Sequence, residues 1–264
     1  MDMNIKLMCI THDVDSIRQS IRHILRRYSR FRLIDLLKHV LKLTNLYNNI
    51  HLVVDLEERY GIRSTWFIPV FLFDIFEIED DIKELVKKNF ELGLHIVIES
   101  QDPVRLALMQ FNFIKNYLGI DVKGVRAHGL IFNKDVVKTL SNRGILYDST
   151  IRIVEPNGKG WDYLPDLGVY ELYLTLMDTD VFGRFKLSED KAWKYITWLI
   201  EWYLNTPDVE VLVILFHQES FRMKGGRMYG RLLDWLCSRD NVKIMRCIDF
   251  INYLIGKKYK KEEH

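Results

Sequence analysis

Cysteine, proline and any strong imbalance of charge are scarce in this sequence, and each shortage removes a class of protein. Three cysteines in 264 residues, Cys9, Cys237 and Cys247, are too few and too scattered for a disulfide framework, and no CxxC pair offers a thiolate zinc site. A reducing, intracellular setting fits them. Only five prolines occur, and no Pro/Gly/Ser-rich stretch, low-complexity tract or repeat marks a seam, so one domain over residues 1–264 is expected. A formal net charge of +2 gives no general reason to bind nucleic acid. No apolar run approaches the ~20 residues that span a bilayer, and the N-terminus lacks the features of a signal peptide. The expectation is a soluble, cytoplasmic protein without a transmembrane segment.

What the chain does have is 48% hydrophobic residues, ample for a large core. Short apolar or β-branched runs alternate with longer runs of helical period. The strand candidates are IKLMCI (5–10), STWFIPV (64–70), LGLHIVI (92–98), VKGVRAH (122–128), ILYDST (145–150), GVYELYL (168–174), VEVLVILFH (209–217) and VKIM (242–245). Between them lie helical patterns such as DIKELVKKNFEL and SEDKAWKYITWLIEWYL, several ending at glycine. Repeated strand then helix predicts an α/β protein, a distorted (β/α) barrel of about seven parallel strands with outer helices. The tail GKKYKKEEH reads as a frayed, solvated end.

In such folds, chemistry is built where the C-terminal ends of the strands converge. The first strand ends in THDVD, and other strand ends carry His95 and Glu99, Arg126 and His128, Asp148, and His217. Each has a bland explanation: aspartate caps a following helix, and a lone histidine at a strand end is usually a satisfied polar residue. Five strand ends so equipped suggest more. Two aspartates with one residue between them, histidines and a further carboxylate are the mixed N/O donors that suit a divalent metal such as zinc, with a base and an acid to spare for hydrolysis.

The ordered set THDVD, GLHxxxE, VRAHG, YDST and LFH, running from Thr11 to His217, resembles the polysaccharide deacetylase family (carbohydrate esterase family four). The resemblance implies a metal-dependent hydrolase that removes an acetyl group from an N-acetylated sugar or related amide. Asp13 would be the catalytic base, Asp15 and His95 metal ligands, Arg126 the residue that orients the base, and His217 the acid that protonates the leaving amine. One divalent metal is implied, zinc first, with manganese or cobalt as alternatives, and the substrate would be a small molecule or an oligosaccharide. The nearby alternatives are hydrolysis of another non-peptide C–N bond, as in a ureide or cyclic imide, and a carbohydrate-binding relative whose metal site has decayed.

The departures matter too. Where the family has a second metal histidine four residues after the first, this chain has Glu99. Glu99 is favoured slightly as third ligand over His128, which lies two residues beyond Arg126 on the same strand face. His12 stands where an aromatic residue is usual. Asp178 and Asp180 in MDTDV read as a turn rather than a second metal site, and the aromatics of TWFIPVFLFDIF and WKYITWLIEWYL as core. The segment at about 16–48 is a basic helical insertion rich in arginine, either a solvated face or a surface for phosphate, anionic glycan or lipid; at the rim it would act as a lid or as the contact of a homo-oligomer.

Overall fold

The computed structural model describes residues 5–153 and 158–262. In chain order the elements are β1 (Lys6–Asp13), α1 (Ile21–Arg26), α2 (Leu33–Val40), α3 (Ile50–Arg59), β2 (Thr65–Pro69), α4 (Glu79–Lys87), β3 (Glu91–Ile96), α5 (Pro103–Asn116), β4 (Gly124–Ala127), α6 (Lys134–Ser141), β5 (Tyr147–Asp148), β6 (Trp161–Leu164), β7 (Val169–Leu172), β8 (Leu174–Met177), α7 (Glu189–Asn205), β9 (Val211–Leu215), α8 (Lys224–Cys237), β10 (Val242–Met245) and α9 (Cys247–Glu262). Local chemistry explains many of the boundaries. Asp102 caps α5 by accepting from Arg105 N–H at 3.0 Å, with Pro103 at the first turn, and Asn133 caps α6 through Val136 N–H. Gly61 and Gly144 follow α3 and α6 at φ of 68° and 101°, a conformation that costs other residues energy.

The sheet runs β6-β7-β5-β4-β3-β2-β1-β9-β8, parallel throughout except for the β6/β7 hairpin. It curls until Arg152, just beyond β5, bridges Leu174 of β8. The curled path β5, β4, β3, β2, β1, β9, β8 therefore has seven parallel positions, as the strand count predicted; α9 packs against the inner cluster through Cys247, Phe250, Ile251 and Leu254. β10 pairs with the first half of β1, where β2 does not reach.

Strand alternation sorts the core into two layers. Cys9, Phe67, Tyr147, Leu174, Val213 and Leu215 form the buried cluster inside the curl, whereas Met8, Ile10, Trp66, Ile68, Leu94 and Ile214 pack against the helices. Two adjustments to the sequence reading follow. GVYELYL is not one strand: β7 ends at Leu172 and β8 starts at Leu174, where the chain leaves β5 and joins β9. The C-terminal tail, expected to fray, continues α9 to Glu262.

Candidate functional site

Parallel register places the chemistry at one end of the sheet. His95 on β3 is level with Arg126 on β4, Asp13 is the last residue of β1, and His217 leaves two residues after β9. Odd-numbered residues of β1 face the interior, so Thr11 and Asp13 look into the curl and His12 looks out. His12 is buried in the helix layer instead, with Nδ1 2.7 Å from the Phe216 carbonyl oxygen and Nε2 2.8 Å from Glu57 Oε1 on α3, beside Trp66. That outward network takes it away from the site.

Asp13 is held by Arg126, whose Nη1 donates to Asp13 Oδ1 at 2.8 Å and to Thr11 Oγ1 at 2.9 Å. Arg126 is wholly buried. Such a charge is tolerable only when it is paired and hydrogen-bonded, and here Nε donates to the Ser149 carbonyl at 2.8 Å, Nη2 to Ser149 Oγ at 2.9 Å, and the guanidinium lies 4.2 Å from the Phe67 ring centre.

Beyond this pair three ligand atoms converge. Asp15 Oδ1 lies 3.0 Å from His95 Nε2 and 3.3 Å from His128 Nδ1, and the two imidazole nitrogens are 3.2 Å apart. Each of the three residues offers one donor atom, all within 4.8 Å of one another. Asp15 Oδ1 is buried yet makes no hydrogen bond of sound geometry, and neither does His95 Nδ1. A buried acceptor without a partner is expensive in a protein that has nothing to put there. Carboxylate oxygen and imidazole nitrogen facing a common point, with one buried oxygen unsatisfied, fit a divalent cation. Burial would raise the pKa of Asp15, but the His128 and His95 imidazoles hold it well below the usual carboxylate range.

His217 closes the site on the far side. Its Nε2 is 3.5 Å from Asp15 Oδ2, and its Nδ1 is 2.6 Å from Oδ1 of the buried Asp178. Burial alone would lower the pKa of His217; the Asp178 carboxylate outweighs it and raises the value well above the ordinary histidine range. Asp178, read from sequence as a turn residue, is therefore a member of the constellation. It follows β8 directly, so the strand-end rule that found the others applies to it once β8 is seen as a separate strand. Asp180 points elsewhere and pairs with Arg152.

The structure brings together Asp13, Asp15, His95, Arg126, His128 and His217, and leaves Glu99 out of the three-atom cluster. Glu99, the favoured third ligand, is exposed. β3 ends at Ile96, so the backbone turns away before Glu99 and a spacing of four no longer returns to the same side. Its carboxylate stands near His128 and Gly129 and raises the pKa of His128 after the larger effect of Asp15. Asp148, also a strand-end candidate, is buried and accepts the Thr150 N–H at 2.7 Å.

No protein-family model and no curated protein matches the chain. Solved structures do. A Mycobacterium smegmatis protein assigned as a polysaccharide deacetylase superposes with a TM-score of 0.70 at 15% identity, over 97% of this chain and 92% of that one. Puue allantoinase gives 0.66 at 14% identity over 96% and 91%. The Bacillus subtilis peptidoglycan deacetylase PdaC gives 0.55 at 10% identity over 99% and 97%. The chain thus has the fold of the polysaccharide deacetylases.

Proposed function

We infer that the protein is a metal-dependent hydrolase that cleaves the amide of an N-acetylated sugar, giving acetate and a free amine. The observation that carries this reading is the convergence of Asp15, His95 and His128 between an arginine-held carboxylate and an aspartate-held imidazole. Asp15, His95 and His128 would hold the cation, which when bound lowers the pKa of water towards ~7 and polarises a carbonyl. Arg126 occupies Asp13 Oδ1 and leaves Oδ2, which lies 4.0 Å from His95 Nδ1, to take a proton from the attacking water. Asp178 fixes His217 Nδ1, so that Nε2 faces the cluster with a proton to give the departing nitrogen. The fold neighbours named as polysaccharide and peptidoglycan deacetylases support an N-acetyl sugar as substrate. The allantoinase neighbour supports a second reading, a ureide, in which the same residues cleave another C–N bond.

Elemental analysis of the purified chain tests the site. Near-stoichiometric zinc, manganese or cobalt is expected, lost in Asp15→Ala and His128→Ala and kept in Glu99→Ala. A native protein that binds none of these after reconstitution would overturn the assignment. Acetate release from N-acetylated sugar oligomers, measured beside allantoin hydrolysis, decides between the two substrates.

A further inference from the structure

The two helices that follow the site turn their apolar sides away from the protein. On α1, Ile21 and Leu25 are exposed, one helical turn apart. On α2, Leu33, Ile34, Leu37 and Val40 form a stripe at helical spacing, each more than half exposed, while no α2 residue is fully buried. Leu41 and Leu43 extend it, 67% and 73% exposed. What fastens the segment to the body is a small cluster of Ile24, Phe31, Leu46, Tyr47 and Met223, aided by the Phe31–Met223 bridge and the Arg222–Asp35 contact at 3.4 Å. The stripe therefore has no partner among the described residues.

Around it lies a dense positive field. Between Arg18 and Lys42 the chain carries eight lysines and arginines against one acid, Asp35, in a protein whose total formal charge is +2. Arg22, Arg26, Arg27, Arg32, Lys38 and Lys42 are exposed, and the ion pairs of the described residues include none of them. A cleft of about 440 Å³ lined by Arg18, Gln19, His39, Lys42, Thr44 and Asn45 opens within the same segment.

We propose that residues 18–43 dock the protein on an anionic lipid bilayer, with the aliphatic stripe entering the headgroup boundary and the surrounding cations meeting lipid phosphates. An apolar face ringed by unpaired cations is the arrangement that lies in a membrane interface. Helices of six and eight residues cannot span one, and no helix among the described residues is long and apolar enough to do so. A second copy of the chain fits poorly, because pairing the stripes would bring two strongly positive segments together. The aliphatic side chains suit a fluid layer, which needs no shape complementarity. Both ends of the segment are tied to the site: Gln218, next to His217, donates to the Ser16 carbonyl at 2.7 Å and accepts from Asn49 N–H at 2.8 Å. Docking would therefore bring the site rim to the membrane surface.

Sedimentation of the full chain with vesicles tests this. The protein should bind phosphatidylcholine vesicles containing phosphatidylglycerol, weakly bind those of phosphatidylcholine alone, and release at high salt. Arg26→Gln with Arg27→Gln should weaken binding about 25-fold, at about fivefold per cation removed. Leu37→Asp with Val40→Asp should abolish it, whereas Tyr117→Ser, an exposed aromatic elsewhere, should not change it. Metal content of each variant serves as the folding control. Binding that ignores lipid charge or these substitutions would overturn the proposal. So would an absence of vesicle binding joined to self-association that the same variants abolish, which would make the face a contact between copies.

Discussion

Strand β3 begins on a buried carboxylate, Glu91, and carries a buried imidazole, His95, one residue before its other end, and their neighbours treat the two ends differently. At the first end the accounts close: Glu91 Oε2 accepts Thr65 Oγ1–H at 2.6 Å and Ile248 N–H at 2.9 Å, Oε1 accepts the Tyr147 hydroxyl at 2.7 Å, and Thr65 Oγ1 in turn accepts Cys247 N–H at 2.9 Å. At the other end, 33 residues of sequence separate His95 from His128, yet their nitrogens crowd Asp15 Oδ1, which has no hydrogen bond. Both ends are buried and polar. One is saturated by its own chain and ties β2, β3, β5 and α9 together; the other gathers three candidate ligand atoms around an oxygen that has no hydrogen bond. Burial of polar groups alone does not mark a functional site. An unmet valence where several ligand atoms converge is the better guide.

Substitutions should separate the two ends. The largest effect on rate belongs to His217→Ala, which on the proposed mechanism removes the proton donor: a loss of ~10² to 10⁴ in rate is expected with metal content nearly unchanged, together with a lower melting temperature because the buried Asp178 loses its partner. Loss of the metal in that variant would show that His217 is a ligand instead. At the saturated end, Glu91→Ala strands three buried donors and should cost about 2–3 kcal/mol in denaturant unfolding, with metal occupancy intact. A variant that kept its stability but lost its metal would end the contrast drawn above. Asp178→Asn keeps the shape of the His217 contact and removes its charge, so a 10–100-fold rate loss is expected. The pKa of His217 is raised in the fold, so the stability it contributes is fully present below ~6.5 and is lost as pH rises through the folded value. Without the Asp178 charge both that loss and the fall in activity at high pH should move to lower pH, which a pH–rate profile will show.

The strand ends were legible because burial forces apolar runs to be nearly continuous in a parallel sheet, so any charged residue that closes a run stands out. Asp13, Asp15, His95, Arg126, His128 and His217 were found in this way. Asp178 was not, since a continuous apolar run cannot reveal where the chain leaves one neighbour for another between β7 and β8. Glu99 was preferred over His128 on spacing along the chain, but the end of β3 sets which residues return to the site, and no pattern of residue types marks that end. Likewise the helical period of α2 shows a stripe without showing which way it faces.

A buried carboxyl pair lies between the two ends and sharpens the comparison. Asp148 on β5 and Glu171 on β7 are level in the sheet, and their backbone partners, Thr150 N–H at 2.7 Å and Ile151 N–H at 2.9 Å, belong to the segment whose Ser149 holds Arg126. One oxygen of each lacks a partner unless a proton sits between them. Burial raises both pKa values, and the Asp148 charge pushes Glu171 further, well above the usual range. With a raised folded value, the stabilising contribution is present below ~4.3 and is lost as pH rises through the folded pKa. Glu171→Gln cannot ionise, so it should stay within about 1 kcal/mol of the parent near neutral pH and lose less stability as the solution turns alkaline. If melting temperature against pH falls equally in both proteins, the pair does not share a proton, and its two oxygens stand without a hydrogen bond as Asp15 Oδ1 does.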